Sequence, residues 1–343
     1  VEKGTVSVII PYFNGERYIA EAIESVAEQT YRDIELIVVD DGSADHSTKA
    51  LRSCLGKTGI KYLRHDRNKG IPSARNTGIR ASSGEYIAFL DQDDTWMPLK
   101  VEKQVAVLEG ECRRGVGLVF SDVYYNYGGE LTRENHFRKI MPADINMLPR
   151  EKTFASLFMR DFIPFITTVI PRAVFETVGL LDEKIVGGTD DYDLCLRIAG
   201  RYRVHYIDEP LAAWRIHGGN YTHIPKQQED QLHIIEKIIG LFPEIRALKR
   251  KKLSKVYESL GYYYCNVQDY KPAVKAYEKA VWERPIDITN SLKLFGAMLG
   301  LYAGPRAQRG YFELGKLAKK GISRLSPPGI RKIAGYLGIE EDI

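Results

Sequence analysis

Residues Tyr86 to Asp94 read YIAFLDQDD: an unbroken apolar run that ends abruptly in three carboxylates within four positions. Five apolar residues bounded by polar ones are too short for a helix and match a strand buried on both faces. Asp91, Asp93 and Asp94 at its end repel one another and favour a neutralising cation. Hard carboxylate oxygens suit Mg²⁺ or Mn²⁺, ions that commonly share their coordination with a substrate phosphate. A solvated turn with aspartates capping the helix expected from Pro98 to Leu108 is the competing reading of the same four residues.

The flanking sequence places that strand in a larger pattern. Val6 to Ile10 (VSVII) and Glu35 to Asp40 (ELIVVD) are further buried strands, with Pro11 expected to end the first. Between them Tyr18, Ile19, Ala22, Ile23 and Val26 recur at helical spacing. Ile60 to Arg64 is a more polar, edge-like strand, and Ile71 to Ala81 a helix. Strands alternating with helices predict an α/β fold: a mostly parallel sheet flanked by helices, with a Rossmann-like nucleotide-binding half. Right-handed crossovers then gather the strand C-termini on one edge, where ligands of open α/β sheets bind. Pro11 to Asn14, Asp40-Asp41 and Asp91 to Asp94 all fall there. Gly117 to Asp122 reads as another strand, and Tyr124 to Arg150 as irregular.

The remaining chemistry lies at four places. Asp40-Asp41-Gly42-Ser43 offers a carboxylate to a ribose or base, or caps a turn through Ser43 or Asp45. Arg75, in the Asn68 to Asn76 stretch, is placed to meet a diphosphate or to pair with an aspartate. Asp190-Asp191 opens a helix after Gly187-Gly188, as caps or as a base for a hydroxyl nucleophile. His217, before Gly218-Gly219, is structural or a late ligand to a metal or diphosphate.

The totals exclude several classes. The 343 residues carry 49 basic and 45 acidic side chains, a net charge of +4, too mild for a nucleic-acid partner. Cys54, Cys112, Cys195 and Cys265 have neither CxxC nor zinc spacing and read as free thiols of a reducing, cytoplasmic compartment. No apolar run is long enough to span a bilayer, and the N-terminus has no signal-peptide pattern. Val1 in place of Met points to a trimmed chain.

In this order, VSVIIPYFNGERYIAEAIESVAEQT, IELIVVDDGSADHS, NKGIPSARNTGI, GEYIAFLDQDDTW, VGLLDE, TDDYDLCLR and WRIH resemble the family 2 nucleotide-sugar glycosyltransferases of GT-A fold, from Thr5 to His217. The resemblance implies that Pro11, Tyr12, Asn14 and Glu16 line the nucleotide pocket with Asp41 on the base or ribose. It also implies that Asp91, Gln92 and Asp93 sit at the ribose and metal, with Asp94 as a further metal candidate. Asp191 would be the base of an inverting transfer and His217 the late metal ligand. Asp190 stands where the family has a longer Glu. Donor and acceptor follow as a nucleotide-diphosphate sugar, UDP-linked by preference, and a glycan or lipid-linked glycan. A nucleotidyltransferase, which more often has a Gly- and basic-rich loop after its first strand, and a non-catalytic scaffold whose tail binds a partner are the rival readings.

A boundary is expected near Pro225, dividing a catalytic domain (1–225) from a helical region (226–343). Tyr257 to Pro285 resembles one tetratricopeptide-type hairpin, with Gly261, Ala273 and Ala280 letting two helices approach. Basic clusters at Arg306 to Arg309, Lys316 to Lys320 and Arg331-Lys332 follow the apolar Leu292 to Tyr302. They predict either packing on the catalytic domain or peripheral association with the inner face of the cytoplasmic membrane.

Overall fold

A computed structural model describes residues 1–44, 59–110, 115–133, 136–218, 224–309 and 311. The chain divides into two compact units, Val1–Thr222 and His223–Ile343. Asp45, Cys54, Cys112, Gly219 and the basic clusters beyond residue 311 lie outside the described residues.

The first unit runs β1 (Glu2–Tyr12), α1 (Ile19–Ala27), β2 (Ile34–Asp40), β3 (Lys61–Arg64), α2 (Ile71–Ala81), β4 (Gly84–Phe89), β5 (Thr95–Trp96), α3 (Lys100–Glu109) and β6 (Val116–Tyr127). It continues through β7 (Glu130–Thr132), α4 (His136–Ile140), α5 (Arg150–Met159), β8 (Val169–Pro171), α6 (Arg172–Val178), α7 (Asp190–Ala199) and β9 (Arg203–Arg215). Among the described residues these strands form one sheet in the order β3-β2-β1-β4-β8-β6-β9-β5, with β7 on β6. The pairs β3–β2, β2–β1 and β1–β4 are parallel, as expected from the alternating pattern. Beyond β4 the sheet is mixed: β8 runs antiparallel to both β4 and β6, while β6 and β9 are parallel.

Both faces of the parallel half are buried, which is why its strands are continuous apolar runs rather than alternating ones. Val8, Ile10, Tyr12 and Val38 pack with Ile19, Ile23 and Val26 of α1, while Ile37 and Val39 pack with Ala74 of α2. The α2 helix lies so close to β1 that a Cβ on Gly78 would come within 2.4 Å of the Ile9 side chain. In a free helix Gly→Ala gains about 1 kcal/mol. Here Ile9 is fully buried and has nowhere to retreat, and overpacking costs about 1–3 kcal/mol. Gly78→Ala is therefore expected to lower the thermal unfolding midpoint; a raised midpoint would show that Ile9 gives way.

Several boundaries differ from the sequence reading: β1 begins at Glu2, β4 spans Gly84–Phe89, and the stretch expected to be irregular holds β7 and α4. Pro11 does not end β1, which continues to Tyr12 opposite Asp40. The β4 ladder stops at Phe89 opposite Ile9, so beyond that point β1 needs a partner only on the β2 side. Likewise β6 extends through Tyr124 to Tyr127, because β9 runs beside it as far as Arg215.

In the second unit, α8 (Ile224–Leu241), α9 (Lys249–Asn266), α10 (Tyr270–Glu283) and α11 (Ile288–Ala303) follow one another. Gly261 faces the Tyr277 ring so closely that a Cβ would lie 2.7 Å from it, and Ser254 Oγ donates to the Ala280 carbonyl at 3.0 Å. Those two contacts make α9 and α10 antiparallel. Gly300 of α11 sits equally tightly on Tyr270, so α11 covers the hairpin. Among the described residues no helix is long and apolar enough to cross a membrane. Cys195 and Cys265 are free and buried.

Candidate active site

Because β1, β2 and β4 are parallel, the loops that follow them share one edge. Side chains join these loops. Gln92 grips the backbone of Phe13 twice: Phe13 N–H donates to its Oε1 at 2.8 Å and its Nε2 donates to the Phe13 carbonyl at 3.2 Å. Gly15 leaves room for this grip, since a Cβ there would fall 2.2 Å from Gln92 Oε1 and displace the amide. Asn14, at φ +49°, donates its N–H to Ser43 Oγ at 3.0 Å and accepts from Ala44 N–H at 3.0 Å. Asn14 and Glu16 are exposed on the edge, whereas Pro11 and Tyr12 are buried beneath it.

The two aspartates at the end of β2 are hydrogen-bonded within the protein. Asp40 accepts from Ser43 N–H at 2.8 Å and from the Tyr62 hydroxyl at 2.6 Å. Asp41 accepts from Lys69 N–H (2.8 Å) and Gly70 N–H (2.7 Å), and His65 Nδ1 lies 2.7 Å away. It thereby fixes the entrance to α2.

The acidic run splits three ways. Asp91 is part-exposed and pairs with Arg75 at 2.8 Å. Asp93 faces His217, with Nε2 2.9 Å from its Oδ2. Asp94 is buried and accepts from the Arg215 N–H at 2.8 Å. Burial, and then the neighbouring Asp91, push the Asp93 carboxyl above its ordinary range. The same causes, with Asp93 added, push Asp94 well above it. Arg215 holds the run from the far side. Its Nε donates to the Asp93 carbonyl at 2.8 Å, its guanidinium pairs with Glu21, and it lies 4.9 Å from the centroid of the Tyr18 ring. Tyr18 also packs on His217, ring centroids 4.9 Å apart. The WRIH text pointed to His217, but only the fold shows that Arg215 and Tyr18 brace it.

Arg75 reaches across the site. Its Nη2 donates to Asp91 at 2.8 Å and its Nη1 to Asp190 at 2.9 Å. Asp190 is buried, while Asp191 beside it stays part-exposed at the first turn of α7 and accepts from Tyr192 N–H at 2.7 Å. Burial first, then Asp190, raise the Asp191 carboxyl well above the usual carboxylate range, although Arg75 opposes the shift. Asn76 is structural: it donates to the Leu181 carbonyl at 3.0 Å and accepts from the Leu181 N–H at 3.0 Å.

No group of three or more His, Cys, Asp or Glu side chains among the described residues is arranged to hold a metal ion. The Asp93–His217 pair does fit a shared ion: one hard oxygen and one imidazole nitrogen, half-buried, with the carboxylate of Asp94 next in the chain. Mg²⁺ is often bound through one or two carboxylates completed by water and substrate phosphate, and Asp93 supplies such a carboxylate. Asp94, turned to the Arg215 backbone, lies behind that pair.

Comparison with known proteins gives the family and the fold. Residues 7–167 match glycosyl transferase family 2. An uncharacterized glycosyltransferase of Rickettsia prowazekii is 34% identical over 228 residues, 66% of this chain and 68% of the relative. The Escherichia coli enzyme WfgD, a UDP-Glc:α-D-GlcNAc-diphosphoundecaprenol β-1,3-glucosyltransferase, is 42% identical over 104 residues, 30% of this chain and 40% of its own. Staphylococcus aureus TarS 1–349 in complex with UDP-GlcNAc superposes with a TM-score of 0.64 at 16% identity, covering 92% of each chain. The Pyrobaculum calidifontis mannosyltransferase PcManGT, in complex with GDP-Man and Mn²⁺, gives 0.57 at 18%, covering 91% of this chain and 86% of its own. The mixed sheet with flanking helices and a helical C-terminal region is thus the GT-A architecture, and the chain belongs to glycosyl transferase family 2.

Proposed function

We propose that this glycosyltransferase moves a sugar from a nucleoside diphosphate, UDP by preference, to a hydroxyl of a glycan or lipid-linked glycan with inversion at the anomeric carbon. The observation that carries this reading is the placement of Asp191: a part-exposed carboxylate with a raised pKa, joined through Asp190 and Arg75 to the end of β4. The bond from the anomeric carbon to the diphosphate oxygen breaks while one from the acceptor oxygen forms. Asp191 takes the acceptor proton, and the electron pair leaves with the diphosphate. Asn14 and Glu16 line the nucleotide side, above Pro11 and Tyr12, with Asp41 fixing the loop against which the base and ribose lie. Asp93 and His217 would hold Mn²⁺ or Mg²⁺, which when bound offsets charge on the leaving diphosphate.

WfgD, by its name, uses a lipid-diphosphate acceptor, which supports an acceptor of that class here. Such an acceptor would bring the chain to the inner face of the cytoplasmic membrane, and the basic Arg306 to Arg309 segment suits an anionic lipid surface.

Titration calorimetry tests the donor side. Wild-type chain is expected to bind UDP in Mn²⁺, and Asp93→Ala to weaken that binding about tenfold or more, since it removes the carboxylate paired with His217. Equal Mn²⁺-dependent affinity in the two proteins would remove Asp93 from the metal site.

A further inference from the structure

Arg75 is 4% exposed, too deep to offer its fork to a diphosphate while it keeps its present partners. Those partners come from opposite sides of the site: Asp91 is 16 residues away at the end of β4, and Asp190 is 115 residues away at the start of α7. The guanidinium also lies 4.8 Å from the centroid of Phe165, and that ring stacks on Phe89, the last residue of β4. Its Nε has no partner, so the whole hydrogen-bonding investment of this buried cation is in the two carboxylates. A lysine ammonium lacks the planar fork that spans both. The shorter Asp at position 190 is therefore occupied inside the protein, leaving Asp191 as the one of the pair that meets the acceptor.

Building on the proposed function, we propose that Arg75 is a positioning residue that locks the donor-side carboxylate Asp91 and the acceptor-side pair Asp190–Asp191 at one fixed separation. The charged and titratable groups acting on Asp191 are Asp190 on its own helix, Arg75 from α2, Asp161 from the segment after α5, and Cys195 one turn along α7. Arg75 is the only cation among them: it holds Asp190 beside Asp191 and opposes the rise that burial and Asp190 cause.

The test uses the full chain and three variants, Arg75→Lys, Arg75→Gln and Asp190→Asn, each checked by thermal unfolding. UDP affinity in Mn²⁺ is measured by calorimetry, and nucleotide release from UDP-glucose, UDP-GlcNAc and GDP-mannose across pH. Arg75→Lys is expected to leave UDP affinity unchanged and lower kcat about tenfold to a hundredfold, the effect of a displaced catalytic group. Arg75→Gln, which removes the cation, moves the acidic limb of the kcat profile to higher pH; Asp190→Asn, which removes the like charge, moves it lower. A loss of UDP affinity of about tenfold with kcat retained would make Arg75 a diphosphate ligand and overturn the inference. Where the Arg75 variants do not fold, Asp190→Asn decides: a limb that stays in place overturns it. A wild-type chain that neither binds UDP nor releases nucleotide overturns the proposed function instead.

Discussion

Asp191→Asn is expected to keep UDP affinity and lose about 10²–10⁴-fold in transfer rate, the usual contribution of a positioned general base. The substitution is nearly isosteric, and the Asn Oδ1 can still accept the Tyr192 N–H that the aspartate now holds. The start of α7 therefore survives, and what disappears is the ability to take a proton. Transfer at the wild-type rate would remove Asp191 from this role. The sign of the pH dependence follows from the same environment. Burial and Asp190 raise the folded-state pKa, so the active, deprotonated form is lost as pH falls through a value above the ordinary carboxylate range. The acid limb of kcat should lie correspondingly high in the wild type and vanish with the residual rate of the variant. Calorimetry with UDP and a pH series of nucleotide release separate the two expectations.

What the sequence revealed of this site was its local part. The apolar runs at Val6, Glu35 and Tyr86 exposed the parallel half of the sheet, because strands buried on both faces must be apolar throughout. Their common edge followed from crossover handedness. The second half of the sheet was not legible in the same way. β8 is three residues long, and its direction is set by tertiary packing rather than by its own composition. The links that make the site lie further still from any periodicity. Arg75 meets Asp190 across 115 residues, and His217 meets Asp93 across 124. Spacing can show that each is chemically capable; only the fold chooses the partner. The same holds for Asp41, whose carboxylate is spent largely on Lys69, Gly70 and His65, and for Asp94, whose partner is a backbone N–H from β9.

The largest stability loss is expected at Arg197, whose side-chain partners are Asp193 and the carbonyls of Val178, Gly179 and Leu180. Asp193 and Arg197 form an i,i+4 pair on α7, Nη2 to Oδ2 2.8 Å, with side chains 0% and 4% exposed. The rest of the guanidinium is committed to the turn that opens the VGLLDE segment, Val178 to Glu183. It donates to the carbonyls of Val178 at 2.5 Å, Gly179 at 3.2 Å and Leu180 at 2.9 Å. These follow or end α6, where carbonyls lack intrahelical partners. Gly179 sits at φ +79°, a turn geometry that the arginine holds shut. Arg197→Ala leaves a buried aspartate without its cation and three carbonyls without a donor, a cost of about 3–5 kcal/mol. For a domain of this size each kcal/mol moves the midpoint by roughly 2–4 °C, so a fall of about 6–20 °C is expected. Removing both charges distinguishes a missing brace from a stranded charge. Arg197→Met with Asp193→Leu should recover part of the midpoint, because no buried charge is then left unpaired. It should not recover full activity, since the turn and the start of α7 carrying Asp190 and Asp191 would still lack the guanidinium that ties them together. A single variant with an unchanged midpoint would show that α7 is held by its apolar contacts alone.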